Sequence, residues 1–219
     1  MRGSRRIYAD DTANAQNTRK REMSTLDDFC TTEVYVIDTE TTGLTGAPAD
    51  KVVDIAVCRA VLGSDRVEEV YSSVVGHDTS AWSYEMKHSW IFENTDLTLD
   101  MVDRAPPEAD VVRRITGLLY NRNVTSFNFS FDFGKFLYHL PWSLYGRIVP
   151  FPCIMLAAKN VCRLPGLYDD HKYPKLSEAY EMIVKGDPAK INGMQTHRAL
   201  SDAVMASHIL LELYRRGDY

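Results

Sequence analysis

The run EVYVID at residues 33–38 constrains the fold more tightly than any other stretch of the chain. β-Branched and aromatic residues in close succession favour an extended backbone, and the run ends at Asp38-Thr39-Glu40, where a Thr/Gly turn takes over. A second apolar segment, KVVDIAVCRAVL at 51–62, follows that turn. Gly63-Ser64-Asp65 then reverses the chain, and residues 67–75 alternate enough to form a third strand. Three strands joined by turns predict an antiparallel meander at the start of the folded part.

Helical periodicity enters later. Pro106-Pro107 opens a helix whose Val111, Val112, Ile115, Leu118 and Leu119 fall on one face. Residues 124–128 read as a short buried strand leading into a helix from 131 to about 138, and 148–155 as a further strand. A helix is expected over 175–184. The strongest lies over 199–214, with Ala203, Ala206, Ile209, Leu210 and Leu213 as its apolar stripe. The fold class that follows is α/β: a mixed, five-stranded-type sheet that begins with an antiparallel meander and is flanked by helices.

A chain of 219 residues with 45% hydrophobic content can bury one substantial core, so one domain over 29–219 is the expectation. Residues 1–28 are polar, mixed in charge and aperiodic, which predicts a flexible extension. Its MRGS opening resembles a vector leader, and Met23 is an alternative native start. Arg19, Lys20 and Arg21 read as a solvated tail, with a nucleic-acid-touching arm as the alternative.

Lys plus Arg total 25 against 30 Asp plus Glu, a formal charge of -5. With no cationic excess, a passive nucleic-acid binder is disfavoured, whereas an enzyme whose bound cations reverse the local field is not. Cys30, Cys58, Cys153 and Cys162 are scattered without a CxxC pair, which indicates neither zinc nor a disulfide framework and implies a reducing, intracellular and cytoplasmic setting. No apolar stretch approaches bilayer length and no secretory signal precedes the strands, so no membrane partner is expected.

Three acidic clusters sit at predicted element junctions. Asp38 and Glu40, two apart on a strand, point to the same side and can reach one cation, although taken alone such a pair more often solvates a turn. Asp132 follows Asn128-Phe129-Ser130-Phe131 where a strand gives way to a helix; that crevice is where open α/β sheets bind ligands, and helix capping is the alternative reading. His197 and Asp202 flank the head of the last helix. Five helical residues rotate by about 140°, so His197 is expected just before the helix if both are to face one site. The alternatives are an exposed loop histidine and an acid near the helix dipole. Four carboxylates in three clusters, with one imidazole and no thiolate, select Mg²⁺ or Mn²⁺ over Zn²⁺ and suit phosphoryl transfer.

These clusters resemble the three motifs of the DnaQ-like (DEDDh) 3′→5′ exonuclease family, which has a ribonuclease H-like fold. Val36-Ile37-Asp38-Thr39-Glu40-Thr41-Thr42-Gly43-Leu44 is similar to the first motif, Asn128 to Asp132 to the second, and His197 to Asp202 to the third. Thr95-Asp96-Leu97-Thr98, Met101-Val102, Ala105-Pro106 and Lys175-Leu176-Ser177 resemble weaker family stretches, so the likeness spans about residues 33–214. The resemblance implies that Asp38, Glu40, Asp132 and Asp202 hold two divalent metal ions, with His197 as general base. It also implies that Thr41, Thr42, Gly43, Leu44 and Asn128 bind the terminal nucleotide, Leu44 as a wedge or, alternatively, as plain turn packing.

The substrate implied is nucleic acid with a free, single-stranded 3′ end, DNA before RNA, with a polymerase or repair protein as partner in trans. The oligomeric state stays open. His197 excludes the subgroup with Tyr in the third motif. Two departures, Thr95-Asp96 in place of His-Gly and Phe127 in place of His, bear on contacts to that nucleotide. Phe127, Phe129 and Phe131 read as core, with base stacking as the alternative. Three other readings remain: an RNA-trimming exoribonuclease, a catalytically silent module that binds nucleic acid or a polymerase, and a metal-free glycosidase using paired acids.

Overall fold

Five strands form the sheet in the order β3-β2-β1-β4-β5 of the computed structural model, which describes residues 32–167, 171–187 and 197–219. The expected extension over 1–28, with Arg19, Lys20, Arg21 and Met23, lies outside the described residues, as does Cys30. β1 (Glu33–Thr41), β2 (Val52–Val61) and β3 (Val67–Val74) pair antiparallel as the expected meander. β4 (Asn123–Ser126) returns to pair parallel with β1, Tyr35 against Val124 and Ile37 against Ser126, and β5 (Val149–Pro150) extends that side. The sheet is mixed, and helices flank it, as the sequence predicts.

Between β3 and β4 the chain forms a 3₁₀ turn at Thr79–Ala81 and the helices α1 (Tyr84–Lys87), α2 (Trp90–Asn94), α3 (Leu99–Arg104) and α4 (Glu108–Leu119). After β4 come α5 (Phe129–Phe131), which widens into a π-helical segment at Asp132–Leu137, and α6 (Ile154–Cys162). α7 (Leu176–Ala179) continues as π-helical Tyr180–Val184, and α8 (Ala199–Arg216) closes the fold. No helix among the described residues is long and apolar enough to cross a membrane.

Alternation along β1 sends Val34 and Val36 to one face and Tyr35 and Ile37 to the other. On the first face they pack with Ala56, Cys58 and Ala60 of β2 beneath the expected α8 stripe, Ala203, Ala206, Ile209, Leu210 and Leu213, all buried. Each large aliphatic side chain so buried contributes about 1.5–3 kcal/mol, enough to fix the rotation of α8 about its axis. Gly217, at φ 77°, ends α8 in the left-handed conformation that glycine adopts without steric cost. On the second face Ile37, Ile55 and Val57 meet Val111, Ile115 and Leu119 of α4, together with Phe133 and Phe136.

Two expectations need correction, and one unassigned region is filled. The strand expected over 148–155 shrinks to Val149–Pro150, because Pro150 and Pro152 carry no N–H to extend a ladder, and residues from Ile154 onward form α6 instead. The helix expected from 131 starts at Phe129, since the Asn128 carboxamide oxygen accepts the Phe131 N–H and caps it. The region between β3 and α4, unassigned in sequence, holds short capped turns of helix: Asp78, Ser83 and Thr98 each accept a backbone N–H two or three residues on.

Candidate active site

Asp38 and Glu40 continue the face of Val34 and Val36, the side that α8 covers. Asp202 stands in the first turn of α8, where the helix dipole favours an acid. The register of β1 against α8 brings the three together: one carboxylate oxygen from each of Asp38, Glu40 and Asp202 lies within 4.8 Å of the others.

Asp132 arrives from the second face. β4 stops at Ser126 opposite Ile37, so β1 runs on past its parallel neighbour, and the chain turns there into α5. Asp132 is buried, 3% exposed, and its carboxylate accepts a 2.6 Å hydrogen bond from Thr39 Oγ1, the residue between Asp38 and Glu40. Asp132 is not one of the three that converge within 4.8 Å, yet it exerts the largest charge repulsion on Asp38.

The electrostatics are those of an anionic pocket. Burial first, then repulsion from Asp132, Asp202 and Glu40, holds the Asp38 carboxyl well above the ordinary carboxylate range. Burial and Asp202 push Glu40 up to about 8. Burial pushes Asp132 up to about 6, against the pull of its Thr39 bond. Burial likewise pushes Asp202 up to about 6, against the opposing charge and backbone N–H of His197. Carboxyls that compete for protons near neutrality are a mark of functional sites, and cations relieve the same repulsion.

His197 lies immediately before α8, where the sequence places it, with its backbone at φ 61°. Its exposed ring stands edge-on to Trp90, centroids 5.2 Å apart. Beside Glu40 opens a cleft of about 550 Å³, the size of a small-ligand site, walled by Leu44, Trp90 and Phe131. Leu44 is 74% exposed, so it is not packed as an ordinary turn residue.

The loop that carries Leu44 is held in place. Asp50 Oδ2 accepts the N–H groups of Thr45 and Gly46 at 2.7 and 3.1 Å, and Lys135 Nζ donates to the Leu44 carbonyl. A Cβ at Gly43 would meet Asp50 Oδ1 at 2.4 Å, which explains a glycine there. Thr41 and Thr42 line the cleft with their hydroxyls engaged elsewhere, Thr41 donating to the Gly43 carbonyl and Thr42 accepting the Lys51 N–H. Asn128 caps α5 and is not among the walls of the cleft. Phe127 is core and Phe129 stacks on Phe133 at 4.3 Å, whereas Phe131 reaches the cleft.

Three residues that sequence reasoning passed over belong to this neighbourhood, Asp54, Arg198 and Trp90, together with Asp96, which it named only as a departure from the related motif. Asp54 stands opposite Glu40 on β2, 1% exposed, and its Oδ2 accepts from Arg198 Nε at 2.7 Å and from the Ala199 N–H at 3.3 Å. Its Oδ1 has no hydrogen-bond partner among the described residues. A charge inside the apolar run KVVDIAV was the available signal, because a buried carboxylate requires a partner. Asp96 is joined to Arg198 Nη1 at 3.4 Å. Thr95, the other departure from the family pattern, hydrogen-bonds the Ile91 carbonyl at 2.6 Å and accepts the Leu97 N–H.

No family model matches the chain. Among curated proteins it is similar to the 3′-5′ exonuclease DinG of Bacillus subtilis, 28% identical over 183 residues, which cover 83% of this chain and 17% of that protein. The chain thus spans under a fifth of that relative's length. Among solved structures, a 3′-exonuclease that recognises the 3′ end of the histone mRNA stem-loop matches at TM-score 0.64 and 18% identity, covering 94% of this chain and 73% of the other. E. coli exonuclease I bound to a dA16 oligonucleotide matches at 0.54 and 17%, over 83% of this chain and 40% of that one. Cell-death related nuclease 4 matches at 0.56 and 13%, over 86% and 65%. The chain is thus similar in sequence to one 3′-5′ exonuclease, and it shares the ribonuclease H-like fold of several solved exonucleases.

Proposed function

We propose that this protein is a metal-dependent 3′→5′ exonuclease that removes nucleoside 5′-monophosphates from the 3′ end of a nucleic acid. The observation that carries the reading is the convergence of Asp38, Glu40 and Asp202 within 4.8 Å. Folding assembles this cluster against its own repulsion, and hard oxygen donors so close together fit Mg²⁺ or Mn²⁺. The raised carboxyls and the unpartnered Oδ1 of Asp54 fit the same conclusion. Asp38, Glu40 and Asp202 would hold the metal, with Asp132, steered by Thr39, as the fourth ligand. When bound, two such ions supply Lewis-acid stabilisation of the charge that builds on the phosphoryl and leaving oxygens.

The remaining work falls to the chain. An imidazole nitrogen of His197, exposed at the head of α8 beside Asp202, accepts the proton of the attacking water. Leu44 and Trp90 flank the terminal base without reading its identity, as an enzyme that digests any sequence requires. Thr41, Thr42 and Gly43, which line the same cleft, contact the terminal nucleotide beside them.

DNA is the first substrate proposed, supported by the fold shared with an exonuclease solved on dA16. RNA is the second, supported by the fold shared with the enzyme solved on the histone mRNA stem-loop. The deciding assay is hydrolysis of matched 5′-labelled single-stranded DNA and RNA with Mg²⁺, Mn²⁺ or chelator. A metal-dependent ladder shortening from the 3′ end is expected. Intact substrate in every condition, from folded protein, would favour a binding module instead.

A further inference from the structure

α8 begins without a capping side chain of its own. Arg198 holds the N-cap position in an extended conformation, φ -126° and ψ 139°, and its side chain makes no cap hydrogen bond. The anion that the positive end of this 18-residue helix calls for comes from another element: Asp54 Oδ2 accepts the Ala199 N–H. The same oxygen takes Arg198 Nε, so one atom of β2 holds both the side chain and the backbone of the helix head. Asp54 pairs with Glu40 across the β1–β2 ladder. The start of α8, which carries Asp202, is thereby indexed to the strand pair that carries Asp38 and Glu40.

Two more observations point to the same device. His197 has a Cβ yet sits at φ 61°, a conformation that persists only where its surroundings impose it. The next residue is the one that Asp54 grips. On the outer side, Arg198 Nη1 reaches Asp96, in the corner between α2 and α3. That corner is itself fixed, because Thr95 bonds the last turn of α2 and Leu97 is buried. α2 carries Trp90, whose ring meets the edge of His197.

We propose that Arg198 is a positioning residue: its guanidinium, held by Asp54 on one side and Asp96 on the other, sets the backbone of His197 and registers Asp202 and Trp90 against the carboxylates of β1. The planar fork matters as well as the charge, since an ammonium is a single point that does not span both carboxylates. The buried Asp54 contact anchors the clamp, and the half-exposed Asp96 contact trims it.

This inference rests on the exonuclease reading of the site, so its test carries a geometric readout beside the kinetic one. Arg198→Lys, Arg198→Gln, Asp96→Asn and the double variant Arg198→Lys/Asp96→Asn are compared with the parent. The kinetic readouts are kcat and KM on a 5′-labelled single-stranded oligonucleotide with Mn²⁺. The geometric readouts, taken in chelator, are exchange of the Ala199 amide and the ¹⁵N resonances of the His197 ring.

Arg198→Gln is expected to lower kcat roughly 10- to 100-fold with little change in KM, because misplacing a reacting group by about an ångström costs that much. Its Ala199 amide should exchange faster and its His197 ring signals should move. Arg198→Lys should recover part of the loss. Asp96→Asn should lose less than about fivefold and add nothing to Arg198→Lys, the non-additivity of groups that act through one another. Parent-like kcat, amide exchange and ring signals in Arg198→Gln would overturn the clamp, as would a loss confined to KM. If the parent cleaves nothing with any metal, it is the exonuclease reading that falls, and the exchange and ring signals still decide the clamp. Should Arg198→Gln not fold, Asp96→Asn decides: shifted His197 signals support the clamp and unmoved ones overturn it.

Discussion

Replacing Glu40 by Gln should make the metal-free protein more stable while abolishing its activity. The side chain keeps its shape and loses its charge, so the change isolates repulsion. One carboxylate oxygen of Glu40 lies within 4.8 Å of one from Asp38 and one from Asp202. At an effective dielectric of about 20, a unit pair at that distance repels by about 3 kcal/mol. Partial solvent exposure and the nearby Arg198 charge reduce this, leaving an expected gain of about 1–3 kcal/mol, or about 2–4 °C of Tm per kcal/mol.

The sign follows from linkage. The folded Glu40 carboxyl titrates at about 8, above its unfolded value, so between those two values the folded state holds more protons. Parent stability therefore falls as pH rises through that window, and the full penalty is present only above about pH 8. Urea unfolding in chelator should show Glu40→Gln ahead of the parent at pH 9 and level with it at pH 5. Mn²⁺ should reverse the order at pH 9, since ligand at about 100 Kd adds about 2.7 kcal/mol to the protein that binds it. A variant less stable than the parent at pH 9 in chelator, or a gap independent of pH, would refute a cluster held together against repulsion.

Three further outcomes are expected. His197→Ala should lower kcat by about 10²–10⁴-fold while Mn²⁺ still raises Tm, because the imidazole is assigned to the water proton and the carboxylates to the metal; loss of the Mn²⁺ shift would contradict that division. Asp132→Ala should reduce hydrolysis to background, and appreciable residual turnover would remove Asp132 from the metal site. Leu44→Ala should raise KM about fivefold, about 1 kcal/mol of lost contact with the terminal base, and leave Tm unmoved because the side chain is 74% exposed; a parent-like KM would mean that Leu44 touches no substrate.

The local pattern of the chain determined the elements whose signal is strong. β1 to β3 fall within a few residues of the apolar runs that predict them, and the α8 stripe is buried residue for residue, because burial of one face is what a period of two or 3.6 encodes. The three acidic clusters were legible for the same reason: each sits where such a pattern stops or starts. The short helices between β3 and α4 and the helix α6 were not legible, since turns of four to nine residues carry too little periodicity to outweigh tertiary packing.

What only the tertiary structure decided is which groups meet. Sequence spacing does not state that β4 returns beside β1, nor that β1 outruns it and leaves the gap that Asp132 fills. It does not state that Asp54 lies opposite Glu40, or that Arg198, far along the chain, is the partner that Asp54 requires. Periodicity is a property of neighbours in the chain, whereas the pairing of strands and the compensation of buried charge are settled between segments far apart, by the packing that removes both faces of the sheet from water.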